Sequence, residues 1–247
     1  MKWDSTLYDN KHHFVSEYGM DLINLVPIND TNAILDIGCG TGVLCNTLSK
    51  RCGYILGIDG SNTMIEKAKH QYPNLDFKYM DALEINDKER WDVVFSNAVF
   101  HWINNQDLLI KNIYRSLKDG GILVCEFGAY GNIQKIEEGF TKAVAEYGYE
   151  YHSKFTFPTV ESFQRILEKH GFKIEVIYDY DRPTQLDAGR SSLDLWIRQF
   201  YQNELENFDE NIQKEILELL AKYVEKDLWD ETKWILDYRR LRVVAYK

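Results

Sequence analysis

The chain has 247 residues, 45% of them hydrophobic and 28% charged, enough for one large domain or for a core with a modest cap. Its 29 Lys and Arg against 39 Asp and Glu leave a net charge of −10, which repels phosphate backbones and anionic headgroups and argues against nucleic-acid or membrane-surface partners. Four cysteines without a CxxC pair, an opening MKWDSTLYDNKHHFV without an apolar stretch, and no long apolar run point to a reduced, cytoplasmic protein.

In chain order, Ala33–Ile37 reads as a compact apolar strand and 43–51 as the helix after it. Tyr54–Ile58 is a second strand, with Ser61 placed to cap a helix running to about Tyr72. Short strands follow at 77–80 and 91–96, then an amphipathic helix over 106–118, stopped by Asp119-Gly120-Gly121, and a strand over 121–127. This alternation predicts an α/β fold, a Rossmann-like doubly wound sheet of about seven strands, mostly parallel. Further helices are expected at 133–147, 160–170, 192–202 and 210–228, with strands at 173–180 and 240–246. The expected organisation is an N-terminal helical lid at 1–29, a core at 30–180, a helical cap inserted at 181–237, and a closing strand at 238–247. Residues 204–231 alone supply −7 of the net charge, so the bulk acidity says little about any one pocket.

The informative segment is Asp36-Ile37-Gly38-Cys39-Gly40-Thr41-Gly42, directly after the first strand. Glycines at alternate positions let the backbone approach a ligand closely. The spacing is neither the GxGxxG of a dinucleotide site nor a P-loop with its Lys-Ser/Thr pair. Asp59 ends the second strand, where a carboxylate can accept both ribose hydroxyls, and Asp81-Ala82 follows the third, where it can accept from an adenine amino group. Three acids at successive strand ends point to a nucleoside-bearing ligand. No His/Cys/Asp/Glu grouping has metal-ligand spacing, so no metal is expected.

These segments, together with Met64-Ile65, Phe95-Ser96-Asn97-Ala98, His101-Trp102 and LKDGG at 117–121, resemble class I S-adenosylmethionine-dependent methyltransferases over about residues 30–130. The SNAVFHW stretch and the tail WILDYRRLRVVAYK are similar to the trans-aconitate methyltransferase-like branch. The opening with Trp3, Tyr8, His12 and Phe14 is similar to that of uncharacterised bacterial members. The resemblance implies S-adenosylmethionine as cofactor. It implies Asp36, Gly38 and Gly40 at its methionine end, Asp59 on the ribose, Gly60 and Met64 flanking ribose and adenine, and Asp81 and Ala82 at the adenine edge. Asn97 would offer its backbone carbonyl to the ammonium, and Tyr8 with His12 and His13 would sit on a lid helix. Gly60 is a departure, since the branch places a variable side chain there.

A sulfonium is already an activated methyl donor, so the protein supplies alignment, exclusion of water and control of the nucleophile's protonation. An ionised carboxylate needs no base. A hydroxyl, nitrogen or carbon acceptor needs one, and His101 and His13 are the candidate catalytic residues. Trp102 is a candidate pocket wall. Arg182 and Arg198 are candidate substrate ligands, because guanidinium groups pair bidentately with carboxylates; with Arg239 and Arg240 they lie in or beside the expected cap. The favoured reading is O-methylation of a small-molecule carboxylate by a monomer or weak homodimer. A hydroxyl, nitrogen or carbon acceptor, or a non-catalytic cofactor-binding protein, remains the alternative.

Overall fold

The computed structural model describes residues 14–186 and 189–247, so Tyr8, His12 and His13 lie outside the described residues. Among these, the strands are β1 (Ala33–Ile37), β2 (Tyr54–Asp59), β3 (Asp76–Tyr79), β4 (Trp91–Asn97), β5 (Leu117–Gly128), β6 (Lys173–Asp181), β7 (Thr184–Gln185), β8 (Ile235–Leu236) and β9 (Arg239–Tyr246). The helices are α1 (Phe14–Ile23), α2 (Val43–Leu48), α3 (Asn62–Gln71), α4 (Gln106–Ser116), α5 (Gln134–Ala145), α6 (Val160–Lys169), α7 (Ser192–Phe200), α8 (Gln202–Leu205) and α9 (Glu210–Leu228).

Seven strands form one sheet in the order β3-β2-β1-β4-β5-β9-β6, and β7 pairs separately with β8. The pairs β1–β2, β1–β4, β2–β3 and β4–β5 are parallel. Arg242 reaches Glu126, and Lys247 N–H donates to Gly121 O at 2.9 Å, so β9 runs antiparallel to β5. This is the expected doubly wound sheet, and its order reverses between β1 and β4, the switch point at which such sheets bind ligands.

Strands buried on both faces must be apolar on both, and alternate residues divide between the two. On one face Ile34, Val93, Phe95, Val124 and Val244 pack with Leu22, Ile23, Cys45, Leu48 and Ile65 from α1, α2 and α3. On the other, Leu35, Val94, Leu123, Phe127 and Val243 pack with Leu109, Ile110 and Ile113 of α4 and Phe163 and Leu167 of α6.

Two expected boundaries move. Helix α4 ends at Ser116, and Leu117–Gly121 starts β5 instead of stopping a helix. Trp91 pairs with Leu117 but Val93 with Ile122, so β5 bulges against β4 and absorbs the Asp-Gly-Gly segment into the strand. Helix α2 ends at Leu48 rather than Arg51, and Arg51 N–H closes a turn on Leu48 O at 3.0 Å.

The chain divides into two compact units. One comprises residues 14–129, 155–179 and 241–247, the other 130–154 and 180–240. The second therefore contains not only the segment expected as a cap but also α5. In it, the apolar faces of α5 (Ile136, Phe140, Ala143) and α9 (Leu217, Leu220, Val224) are buried. Tyr151 and the fully buried Tyr201 both donate to Glu137 Oε1. Lys154 pairs with Glu204 at 2.8 Å. The acids of α9 are partly engaged at the surface, where Tyr147 donates to Glu215 and Arg190 pairs with Glu225. Among the described residues no helix is long and apolar enough to cross a membrane.

A Cβ on Gly139 of α5 would lie 2.6 Å from Val224 Cγ1. Gly139→Ala should therefore destabilise by about 1–3 kcal/mol through overpacking, despite the better helix propensity of alanine. Adding Val224→Ala should restore part of the loss. Urea unfolding of both variants checks this; a stabilising single substitution would contradict the packing described.

Candidate active site

The turn after β1 is docked on the end of β2. The N–H groups of Gly38 and Cys39 both donate to Ile58 O, at 2.7 and 3.0 Å. Gly38 has φ +74° and a Cβ there would stand 2.1 Å from Val99 Cγ2, so both its conformation and its space demand glycine. Gly40 is also left-handed, at φ +55°, yet a Cβ on it meets nothing within 4 Å. The turn thus presents an open backbone surface at Gly40, where a ligand can approach closely.

The acids differ in environment. Asp36 is 1% exposed, and Cys45 Sγ donates to its Oδ2 at 3.0 Å. Burial pushes its carboxyl up to about 7; the thiol hydrogen bond lowers it and the Asp59 charge raises it further. Asp59 accepts Gly40 N–H on Oδ2 at 2.9 Å and Ser61 N–H on Oδ1 at 2.8 Å. Each oxygen keeps a lone pair for a further donor. Its carboxyl is also raised by burial, against these two backbone bonds. Asp81 caps a short 3-10 turn at Ala82–Glu84 by accepting Leu83 N–H at 2.8 Å, and remains exposed. Ala82 and Met64 are buried beneath, whereas Gly60 is exposed with nothing within 4 Å of a Cβ.

At the end of β4, Ser96 Oγ donates to Ile37 O at 2.8 Å and ties β4 to the glycine turn. Asn97 ends the strand, and Ala98 takes a left-handed φ of +61° with its N–H on Glu126 O at 2.7 Å. His101 and Trp102 sit on the 3-10 turn that follows. His101 is 7% exposed and its Nδ1 accepts Gly128 N–H at 3.1 Å. The neutral ring therefore carries its proton on Nε2.

Around His101 lies an aromatic cluster that sequence reasoning did not assemble. The ring centroids of His101 and Phe157 are 5.7 Å apart, Phe155 and Phe157 stack at 5.3 Å, and Trp102 meets Phe155 edge-on at 4.6 Å. Thr156 N–H donates to His101 O at 2.8 Å, and the buried Gln106 donates to both Phe100 O and Thr156 O. The available signal was the alternation Phe155-Thr156-Phe157, which places two rings on one side of an extended segment. Cys45, at the Asp36 carboxylate, was also missed, because a cysteine on a helix announces no partner.

The structure thus brings Asp36, Gly38, Gly40, Asp59, Gly60, Met64, Asp81, Ala82, Asn97, His101 and Trp102 into one unit, at strand ends and the turns that follow them, with Met64 in the first turn of α3. Arg182 and Arg198 belong to the other unit. Arg182 lies over the Tyr180 ring and donates to its hydroxyl. Arg198 donates to Gln213 Oε1 at 3.2 Å. Arg239 pairs with Asp181 at 2.7 Å, and the buried Arg240 lies over the Tyr238 ring. Acceptor carboxylates at successive strand ends, with bare backbone at Gly40 and Gly60, fit a nucleoside-bearing, positively charged ligand.

Residues 35–125 match the family described as Methyltransferase domain. An uncharacterised methyltransferase of Schizosaccharomyces pombe is 32% identical over 259 residues, covering 99% of this chain and 98% of that protein. The malonyl-[acyl-carrier protein] O-methyltransferase 1 of Ilyobacter polytropus is 34% identical over about half of each chain (49% and 47%). The trans-aconitate 2-methyltransferase of an Enterobacter species is 24% identical, covering 70% of this chain and 69% of that one. A solved structure from Bacillus halodurans, with a provisional methyltransferase designation, superposes with a TM-score of 0.66 at 15% identity, over 92% of this chain and 97% of that one.

Two predictions follow from this geometry. Asp36 titrates at about 7 folded against 3.8 unfolded. Its stabilisation is therefore complete below 3.8 and is lost as pH rises through about 7. The stability advantage of Asp36→Asn over the native chain should then grow from about pH 5 to pH 8, by at most ~1.4 kcal/mol per unit. Thermal unfolding at several pH values checks this, and a pH-independent difference would contradict it. Gly38→Ala should cost about 2 kcal/mol or more of fold stability from strain and collision. Gly60→Ala should leave the melting temperature unchanged.

Proposed function

The chain belongs to the class I S-adenosylmethionine-dependent methyltransferases, and on that premise we propose that it methylates a carboxylate oxygen of a small-molecule acceptor. Bound S-adenosylmethionine supplies a methyl group already activated by its sulfonium. The protein's part is to hold that group, align the acceptor, keep water away and set protonation.

Asp59 accepts the ribose hydroxyls on the lone pairs its two backbone bonds leave open. Asp81 accepts from the adenine amino group on the oxygen that the Leu83 cap does not use, with Ala82, Gly60 and Met64 beside the adenosine. Gly38 and Gly40 pass beneath the methionine portion. Asp36, protonated or ionised near neutrality, answers to the charge of the ammonium, and the Asn97 carbonyl accepts from it. Tyr8 and His13 are the further candidates from the N-terminal segment. Arg182 and Arg198 are the acceptor-binding candidates, each already donating within its own unit, Arg182 to the Tyr180 hydroxyl and Arg198 to Gln213.

The observation that carries the carboxylate reading is the tautomer of His101. Its Nδ1 lone pair is engaged by Gly128 N–H, so the neutral ring carries its proton on Nε2 and has a donor there rather than a lone pair to take a proton. A donor serves an acceptor that is already anionic, and Trp102, Phe155 and Phe157 supply apolar surface around it. The names of relatives support an acidic acceptor, one being a malonyl-[acyl-carrier protein] O-methyltransferase and another a trans-aconitate 2-methyltransferase.

Methyl transfer to a panel of small carboxylic acids, followed as a function of pH, tests this. The expected profile has no acidic limb in the histidine range, and His101→Ala lowers kcat/KM about 10- to 100-fold, the worth of one hydrogen bond to a charged group. Arg182→Ala should raise KM for the acid without lowering kcat. An acidic limb near pH 6.5 that disappears in His101→Ala would show a general base and a different acceptor class.

A further inference from the structure

Glu126, two residues from the end of β5, is 1% exposed, and Arg242 of β9 donates to its Oε2 through Nε at 2.6 Å and lies as close through Nη2. The Arg242 side chain is itself 13% exposed. Neither residue belongs to the motifs that identify the family. A buried ion pair is a poor source of stability, because desolvating both charges offsets most of their attraction. Its position suggests another role. Glu126 stands in register with Asn97 across the parallel β4–β5 pair, so the two side chains share a face of the sheet. It is the face covered by α1: Asn97 Nδ2 lies 3.1 Å from where a Cβ on Gly19 would be. Glu126 O in turn receives the N–H of Ala98, whose left-handed φ of +61° is unfavourable for a residue with a Cβ.

We propose that the Glu126–Arg242 pair is a positioning device for the cofactor's methionine end. It anchors the Glu126 backbone between β4 and β9, and that backbone holds the Asn97–Ala98 turn in the conformation that aims the Asn97 carbonyl. Both residues act through the turn and touch neither cofactor nor acceptor. The inference rests on the reading that Asn97 serves the methionine end and Asp59 the ribose.

The test separates affinity for the two ends of the cofactor. S-adenosylhomocysteine carries the amino-acid portion; adenosine lacks it. Calorimetric titration of Glu126→Gln, Arg242→Lys and the double variant Glu126→Gln/Arg242→Met should show affinity for S-adenosylhomocysteine falling about tenfold in the first and last, with adenosine affinity unchanged. Arg242→Lys, which keeps the charge, should recover part of the loss. The double variant removes both charges together, so it should melt closer to the native chain than Glu126→Gln does. Native affinity for both ligands in the double variant, or an equal loss for both, overturns the proposal. If neither Gln-containing variant folds, native affinity for both ligands in Arg242→Lys with a lowered melting temperature overturns it too, since the pair would then be structural only. Asp59→Ala is the control for the underlying reading and should weaken both ligands. Unchanged adenosine binding in that variant would remove the cofactor assignment itself, whatever the pair does.

Discussion

The site depends on one junction: the turn after β1 is hydrogen-bonded to the end of β2. Two N–H groups of the turn share Ile58 O, a third reaches Asp59, and Ser61 N–H holds the other oxygen of the same carboxylate. That arrangement orients Asp59 before any ligand arrives and leaves Gly40 bare above the turn. Ser96 extends the junction to β4. The ends of strands β1, β2 and β4 are therefore joined as one hydrogen-bonded surface, and for the proposed cofactor site such order would limit the entropy lost on binding.

The charge that matters is local. Much of the net −10 comes from 204–231, and several of those acids meet Tyr147, Arg190 and Lys154. At the site, Asp36 is so buried that it ionises only near neutrality, with a cysteine thiol as its donor. A carboxyl poised there suits the role proposed for it at the cofactor's methionine end, where an incoming cation would favour the ionised form.

Much of this was legible in the sequence, for reasons that are local. Alternate glycines after a five-residue apolar strand announce the turn, and acids at the following strand ends announce a nucleoside. The 3.6-residue and unbroken apolar patterns place most helices and strands. The Asp119-Gly120-Gly121 segment misleads because the same residues that stop a helix also allow a bulged strand, and only pairing with β4 and β9 decides between them. Long-range partners stay invisible. Arg242 and Glu126 are 116 positions apart, and the Phe155–Phe157 rings meet His101 across more than 50 residues of chain, held there by the backbone bond from Thr156 and by Gln106. The same holds for the second unit, where α5 joins segments more than 30 residues further along the chain.

The acceptor reading turns on a proton. With Nδ1 engaged by Gly128, His101 is a donor in its neutral form, and the aromatic cluster beside it surrounds the donor with apolar surface. Both features suit an anion that needs no activation. The most direct measurement is NMR of the product formed from S-adenosylmethionine carrying a 13C-labelled methyl group, with small carboxylic acids as acceptors. The account predicts a methyl-ester resonance that disappears on mild alkaline hydrolysis with release of labelled methanol. A labelled methyl that survives alkali as an ether, amine or carbon-bound group would contradict it.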